Sequence, residues 1–278
     1  MTRVAARPAR LRPRDASRRP GVASGAAPVL LLHGQPGGAR DWASVVARLS
    51  GRANAIAIDR PGWDGHTAPL DLAGNARAAL ATLDAHGINR ATVAGHSLGG
   101  AVAAWIAAHH PERVAALVLV APAANPASLE PLDRWLALPV AGYLASAASL
   151  TGLGLALGAG PVRRQIIGSS GLDEGYLKAA GRALLTPWAR RAFVAEQRAL
   201  LRDLPELEPC LGRIRAPTTI LTGSEDRVVP VAAPRELATQ IPGARLTVLE
   251  RAGHLLPQLH AGLVADAIVL ALRDLEKV

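Results

Sequence analysis

The 278-residue chain contains very little cysteine and few aromatic residues. Its single cysteine, Cys210, excludes an internal disulfide and a zinc site built from several thiolates. The histidines form no HExxH pair, so no metal site is predicted. Only eight residues are aromatic, and five of these are Trp, which argues against a surface that stacks single-stranded nucleic acid. Most of the core must therefore be built from Ala, Leu and Val.

Basic residues are concentrated at the amino terminus. Residues 1–20 contain seven Arg and one Asp, whereas the whole chain carries a net charge of only +9. The rest of the chain is therefore close to neutral, and no nucleic-acid partner is expected. The amino-terminal segment lacks the apolar run of a secretory signal, which favours a cytoplasmic protein; an Arg-rich organellar transit peptide is the alternative. Residues 1–27 are predicted to be a disordered tail or to form weak amino-terminal strands.

From residue 28 onward, short apolar runs alternate with segments of helical periodicity. Strands separated by single helices imply right-handed crossovers and a mostly parallel sheet. The predicted fold class is therefore α/β, with helices on both faces of the sheet. The apolar runs lie at residues 29–32, 56–58, 91–94, 114–120, 218–222 and 246–249.

The alternation stops over residues 123–213, which are predicted to form a helical cap, or lid, inserted between core segments 28–122 and 214–278. Within it, residues 135–162 contain no charged side chain, a stretch long enough to span a bilayer. Five Gly in this stretch, and flanking strands that belong to one sheet, favour a lid over an apolar pocket. Interfacial contact with lipid and a true span stay as alternatives. Thr186 followed by Pro187 predicts the start of a helix within the cap.

The motif that carries chemistry is GHSLG at residues 95–99, between a predicted strand and a predicted helix. A sharp turn at this point strains the serine backbone and exposes its hydroxyl at the start of a helix. The free N–H groups there favour developing negative charge. Ser97 is therefore the candidate nucleophile, and it needs an adjacent base because a hydroxyl is a poor nucleophile at neutral pH.

Four motifs, in this order, resemble the α/β-hydrolase fold family over roughly residues 28–275. They are HGQPGG at 33–38, DRPGWDG at 59–65, GHSLGG at 95–100, and GSEDRVVP at 223–230 followed by Gly-His at 253–254. In this family the nucleophile, acid and histidine follow one another along the chain. The resemblance thus implies a catalytic triad of Ser97, Asp226 and His254, with Glu225 as the adjacent alternative to Asp226.

The resemblance also implies the remaining parts of a site. The oxyanion hole would be formed by the backbone N–H groups of Gln35 and Leu98. Trp63 and His96 are candidates for the substrate pocket, and His33 is expected to pack beneath the oxyanion loop. No cofactor is implied. Relatives usually begin with two antiparallel strands, for which residues 1–27 show little alternating pattern.

These features predict a serine hydrolase that cleaves carboxylic esters, or a related acyl or C–C bond, through an acyl-enzyme on Ser97. The apolar cap implies a largely hydrophobic small-molecule substrate. Two alternatives stay open: cofactor-free perhydrolase or haloperoxidase activity at the same triad, and a non-catalytic ligand-binding protein that retains the fold. Epoxide hydrolases and haloalkane dehalogenases resemble the chain only in part, because they carry an aspartate where Ser97 stands. The sequence gives no signal for the oligomeric state.

Overall fold

A computed structural model describes residues 27–275, and the expectations for the Arg-rich segment before them lie outside this range. Six strands form one sheet in the order β2-β1-β3-β4-β5-β6, and every neighbouring pair is parallel. This confirms the predicted parallel α/β sheet. The strands are β1 (Pro28–Leu32), β2 (Asn54–Ile58), β3 (Ala91–His96), β4 (Val114–Val120), β5 (Thr218–Gly223) and β6 (Arg245–Leu249).

Helices cover both faces of the sheet, as predicted. One face packs against α2, α3 and α9, and the other against α1, α10 and α11. The helices are α1 (Ala43–Leu49), α2 (Leu72–Ala85), α3 (Leu98–His109), α4 (Pro131–Leu136), α5 (Ala141–Gly158), α6 (Gly160–Ser170), α7 (Glu174–Leu184), α8 (Pro187–Leu207), α9 (Ala232–Gln240), α10 (Leu256–Leu259) and α11 (Ala261–Leu275).

The strands are apolar along their whole length because both of their faces are buried. In β1, Leu30 and Leu32 belong to the core on one face, while Val29 and Leu31 belong to the core on the other. Successive side chains of a strand point to opposite faces, so a central strand of a covered parallel sheet has no solvent-facing position. The uninterrupted apolar run at residues 29–32 follows from this arrangement.

The strand order determines where a site can form. From β1 the chain crosses to β2 on one side and then returns to β3 on the other side of β1. The segments that follow β1 and β3 therefore leave their strands in opposite directions, which opens a crevice at the carboxyl ends. Residues 33–38 follow β1 and Ser97 follows β3. Two of the motifs singled out from the sequence thus meet at this crevice.

Helices α4 to α8 lie between β4 and β5, which are neighbours in the sheet. The insertion has an apolar cluster of its own that includes Leu150, Leu157 and Leu177. Helix α8 begins as predicted, with the Thr186 hydroxyl accepting a hydrogen bond from the Ala189 N–H at 3.4 Å. The insertion therefore packs as a helical layer on an otherwise continuous α/β core.

Helix α5 is the one helix in residues 27–275 that is long and apolar enough to cross a membrane, judged by length and composition. Only 28% of it is buried. However, Leu117 to Val120 of β4 pair directly with Thr218 to Leu221 of β5. A single crossing through α5 would place these hydrogen-bonded strands on opposite sides of a bilayer. The sheet is therefore incompatible with a single membrane crossing through α5.

Two glycines allow α3 to approach β3 and β1 closely near Ser97. A Cβ atom built on Gly95 would lie 2.1 Å from the Gly99 carbonyl oxygen, and one built on Gly99 would lie 2.2 Å from the Leu32 carbonyl oxygen. Both contacts involve backbone atoms, which cannot rotate away as a flexible side chain can. The glycines of the motif are therefore required by packing.

We expect Gly95→Ala to lower the free energy of unfolding by about 3 kcal/mol, because the added methyl group forces backbone apart. Gly152→Ala is the matched control, since a Cβ at this position in α5 meets nothing within 4 Å. It should raise stability by about 0.5 kcal/mol or more through helix propensity. Urea denaturation of both variants measures the difference, and similar stabilities would contradict the packing argument.

Candidate active site

Ser97 lies between β3 and α3 in a strained backbone conformation, with φ 53° and ψ −122°. A non-glycine residue in such a region costs about 1 to 3 kcal/mol. Hydrogen bonds on both sides hold it there: the Ser97 N–H donates to the Val120 carbonyl at 3.0 Å, and its carbonyl accepts from the N–H groups of Gly100 and Ala123 at 2.8 and 3.1 Å. The predicted sharp turn is therefore present and is supported by β4.

Asp226 follows β5 and His254 follows β6, and the two side chains are in contact. His254 Nδ1 lies 2.8 Å from Asp226 Oδ2, and Asp226 Oδ1 accepts from the N–H groups of Val228 and Val229 at 2.8 and 2.9 Å. Burial raises the pKa of the Asp226 carboxyl, but these donors outweigh it and the net pKa is lowered. Asp226 therefore stays ionised and can hold His254 with the proton on Nδ1 and Nε2 free. The structure brings Asp226 to the ring and leaves Glu225 exposed.

The histidine ring lies beside the residue that precedes Ser97. The rings of His96 and His254 have their centroids 4.8 Å apart, and His96 Nε2 lies 3.0 Å from the His254 carbonyl oxygen. In the part of the chain that the structure describes, no hydrogen bond joins the Ser97 hydroxyl to the His254 ring. Such bonds often tighten only when substrate is bound.

His96 was predicted to line the substrate pocket, and its position differs from that prediction. It is buried behind the His254 loop and lines neither of the two cavities described below. Burial and the neighbouring His254 lower the pKa of its imidazole to about 3, so the ring is neutral. His96 therefore supports the backbone of His254 from behind.

The candidate oxyanion donors share a cavity with Ser97. Leu98 is the first residue of α3, and Gln35 follows β1. Within residues 27–275, neither of their backbone N–H groups donates a hydrogen bond to another group. Ser97, Leu98 and Gln35 line a cavity of about 120 Å³, and Phe193 and Leu200 of α8 line it as well. Two free donors beside a hydroxyl can stabilise a tetrahedral oxyanion.

A second, larger cavity of about 250 Å³ lies between the core and helices α5, α6 and α7 of the insertion. Trp63 lines it, together with Pro36 and Leu255. These last two residues adjoin Gln35 and His254 in the chain, so the cavity begins next to the candidate site. Its cap side is formed by apolar side chains: Leu153, Leu157, Ile166, Leu172, Leu177 and Leu184. The cavity can hold a hydrophobic group.

Asp41 is a buried carboxyl at the edge of this second cavity, and burial raises its pKa to about 6 although the Gly38 N–H donates to it at 3.1 Å. The folded state thus binds this proton more tightly than the unfolded chain does. Stability from Asp41 is therefore highest below about pH 4 and falls by about 2 kcal/mol as the pH rises to about 6. Asp41→Asn should remove that fall.

Urea denaturation of the wild type and the Asp41→Asn variant at intervals from pH 4 to 7 measures this difference. We expect the variant to gain stability relative to the wild type across this range. Two curves that stay parallel would mean that Asp41 titrates as it does in the unfolded chain. Comparing the two proteins removes the contribution of other titrating groups, which is common to both.

Two polar residues of α8 that sequence reasoning missed reach the loops after β2 and β1, respectively. Glu196 pairs with Arg60, and Gln197 accepts a hydrogen bond from the Gln35 side chain. One signal was available: positions 192, 196 and 200 share the buried face of a helix, so a charge at 196 interrupts an apolar stripe.

Among the described residues, no group of three or more His, Cys, Asp or Glu side chains is placed to hold a metal ion.

Comparison with known proteins places the chain in a family. The model of the alpha/beta hydrolase fold family matches residues 27–261. A 2-hydroxy-6-oxononadienedioate/2-hydroxy-6-oxononatrienedioate hydrolase of Burkholderia vietnamiensis is 30% identical over 246 residues, which cover 84% of this chain and 82% of the relative. A 2-hydroxy-6-oxo-6-phenylhexa-2,4-dienoate hydrolase of Burkholderia cepacia is 29% identical over 241 residues, 84% of this chain and 83% of the relative.

Solved structures share the fold. A thermophilic esterase from Thermogutta terrifontis aligns with a TM-score of 0.70 at 22% identity, covering 90% of each chain. An enol-lactonase from Burkholderia xenovorans aligns with a TM-score of 0.70 at 22% identity, covering 89% of this chain and 92% of that one. The homologues and structural neighbours are hydrolases. The chain therefore belongs to the alpha/beta hydrolase fold family.

Proposed function

We propose that this protein is a serine hydrolase that cleaves a carboxylic ester, or a related acyl or C–C bond, of a largely hydrophobic small molecule. One observation carries the proposal. A strained serine at the start of a helix shares a cavity with two unused backbone N–H groups, and the histidine whose ring lies beside the preceding residue, His96, is bonded to a buried carboxylate. Each of these groups has a role in acyl transfer, and none of the steps needs a cofactor.

In the proposed reaction, Ser97 Oγ attacks the carbonyl carbon while His254 Nε2 accepts the hydroxyl proton. The carbonyl oxygen becomes an oxyanion that accepts hydrogen bonds from the Gln35 and Leu98 N–H groups. His254 then gives the proton to the leaving alkoxide, and an acyl-enzyme is left on Ser97. Water, deprotonated by His254, attacks the acyl carbon and restores the serine. Asp226 stays ionised throughout and stabilises the imidazolium.

The cavity between core and cap supports a hydrophobic substrate. Its lining is mostly apolar, although Arg40 and Asp41 also contribute to it, and it begins at Leu255 and Pro36, next to His254 and Gln35. We therefore assign residues 123–213 the role of a cap that holds the apolar part of the substrate. The relatives are named as hydrolases of hydroxy-oxo-dienoates. Cleavage of a C–C bond by the same site therefore stays part of the proposal. A cytoplasmic location is also part of the proposal, and the β4–β5 pairing bears on it only by excluding a single crossing through α5.

The role of this cavity predicts how activity depends on acyl length. Ala180 of α7 lines it, and Ala180→Phe should fill it with a ring. We expect kcat/KM for p-nitrophenyl octanoate to fall about tenfold or more, because several methylene groups lose their apolar surroundings. Hydrolysis of p-nitrophenyl acetate should change little. The exposed residue Ala148 of α5 offers the control Ala148→Phe, and an equal loss with both esters would contradict this use of the cavity.

Incubation with p-nitrophenyl butyrate and with a fluorophosphonate probe tests the function itself. We expect turnover, and labelling that peptide mass spectrometry locates at Ser97. Absence of both would exclude the hydrolase and also perhydrolase activity at the same triad, which leaves a ligand-binding protein that retains the fold. Hydrogen peroxide added to the ester assay distinguishes the first two, because a perhydrolase forms peracid.

A further inference from the structure

Arg60 is a buried arginine directly behind the loop that carries Gln35, and its side chain and that of Glu196 are each only 1% exposed. Its Nε donates to the His33 carbonyl at 2.8 Å, and Nη2 donates to the Gly34 carbonyl at 3.0 Å. Nη1 donates to Asn75 Oδ1 at 3.3 Å, and both terminal nitrogens bond to the Glu196 carboxylate. All five guanidinium N–H groups are therefore in use.

The Gly34 carbonyl and the Gln35 N–H belong to the same peptide group. A trans peptide is planar, so its N–H points away from its C=O. The Gly34 oxygen is held from one side by Arg60 Nη2 and by His33 Nδ1, at 3.0 and 2.7 Å. Fixing this oxygen fixes the opposite direction for the Gln35 N–H. That direction determines whether the N–H can meet an oxyanion beside Ser97.

His33 contributes as a neutral donor. Its Nε2 accepts a hydrogen bond from the Arg60 backbone N–H at 2.9 Å, which leaves the ring proton on Nδ1 facing the Gly34 oxygen. Burial and the adjacent guanidinium lower the pKa of this imidazole well below its usual range. The ring therefore keeps one acceptor, which is bonded to the Arg60 N–H, and one donor, which faces the Gly34 oxygen.

The cap supplies the counter-charge. Glu196 lies on α8 and also accepts a hydrogen bond from Trp63 Nε1 at 2.9 Å. A buried guanidinium without a partner is strongly unfavourable, so Arg60 depends on this carboxylate. The next residue of α8, Gln197, bonds to the Gln35 side chain. Two successive cap residues thus hold the loop that presents the Gln35 N–H.

We propose that Arg60, neutralised by Glu196 of the cap, is a positioning residue that directs the Gln35 N–H toward the oxyanion. The inference rests on the proposed function, because an oxyanion forms only if Ser97 attacks a carbonyl. Arg60 touches no reacting atom and acts through the Gly34–Gln35 peptide. Its hydrogen bond also polarises that peptide, which strengthens the N–H as a donor. The packing of α8 on the core therefore affects the oxyanion hole, because it places Glu196 against Arg60.

The test removes both buried charges together, so that neither is left unpaired. In the double variant Arg60→Met/Glu196→Gln, we expect kcat for p-nitrophenyl butyrate to fall by about 100-fold while KM stays nearly constant. Affinity for a trifluoromethyl ketone, whose adduct with serine mimics the tetrahedral oxyanion, should fall by a similar factor. Arg60→Lys keeps a donor for the carbonyls and should restore part of both. Circular dichroism and the Tm check that each variant is folded.

Arg113→Met is the matched control. Arg113 also pairs with a carboxylate, Asp84, and donates to two backbone carbonyls, those of Asn89 and Ile88 at 2.6 and 3.3 Å. It precedes β4, whereas Ser97 is bonded to Val120 at the opposite end of that strand. Its loss should lower stability without changing kcat or the ketone affinity of the folded protein. If the double variant behaves in the same way, Arg60 has a structural role alone and the proposal is overturned.

Failure of the proposed function is recognised separately. A wild-type protein that neither hydrolyses esters nor labels at Ser97 would refute the hydrolase proposal, whatever Arg60 does. The crystal structure of the double variant then decides the positioning role without reference to activity. A rotated Gly34–Gln35 peptide supports it, and an unchanged peptide plane overturns it.

Discussion

Ser97→Ala is expected to lower kcat for p-nitrophenyl butyrate by at least about 10⁴-fold, because no covalent intermediate can then form. The change removes only the hydroxyl and keeps the Cβ, so the strained turn and its hydrogen bonds to β4 stay in place and stability should change little. Fluorophosphonate labelling should disappear with the activity. A stopped assay at high enzyme concentration measures the residual rate.

The chain offers a matched control in the same cavity. Ser128 is also buried and lines the cavity around Ser97, but its hydroxyl donates to the Asn125 carbonyl at 2.6 Å, and no basic side chain of residues 27–275 is bonded to it. Ser128→Ala should leave turnover within about threefold and labelling unchanged. Retained labelling in Ser97→Ala, or its loss in Ser128→Ala, would assign the nucleophile to another residue.

Asp226→Asn is expected to lower kcat by about 10⁴-fold at pH 7. The amide is nearly the same size and can still accept the N–H groups of Val228 and Val229. However, it does not fix the His254 proton on Nδ1, and it does not stabilise the imidazolium that forms when Ser97 is deprotonated. The loss should therefore appear in kcat, with KM nearly unchanged.

Glu225→Gln tests the adjacent carboxylate under the same conditions. Glu225 is exposed, whereas Asp226 is bonded to His254, so removing its charge should change kcat by less than about twofold. The reverse result, with Glu225→Gln inactive and Asp226→Asn active, would require the loop after β5 to rearrange in solution. Steady-state kinetics of both variants on one ester is sufficient to distinguish the two outcomes.

The local elements of the core could be predicted from the sequence because their signals are short-range. The apolar run at 114–120 matches β4, since a strand buried on both faces needs only consecutive apolar residues. Thr186 and Pro187 mark the start of α8 because capping is a property of adjacent residues. The turn at Ser97 follows from small residues at fixed offsets around it. The contact between Asp226 and His254 was predicted only by resemblance, through their order after late strands.

The position of His96 and the cavity between core and cap could not be obtained in this way. His96 sits within the predicted turn, and the sequence does not indicate that its ring lies against His254, 158 positions later. The cavity depends on the distance between helices α5 and α7 and the loop after β1. The apolar periodicity of the sequence does not determine that distance. Both features depend on the packing of elements that are distant in the chain.

The sequence by itself therefore determined the strand-helix alternation, the sharp turn at the serine and the insertion, because each follows from residues that are neighbours along the chain. Only the tertiary structure decided that Arg60 and Glu196, 136 positions apart, meet beneath the oxyanion loop. The reason is physical: a buried ion pair forms only where two packed surfaces bring opposite charges together out of water. That meeting depends on the way the cap docks on the core.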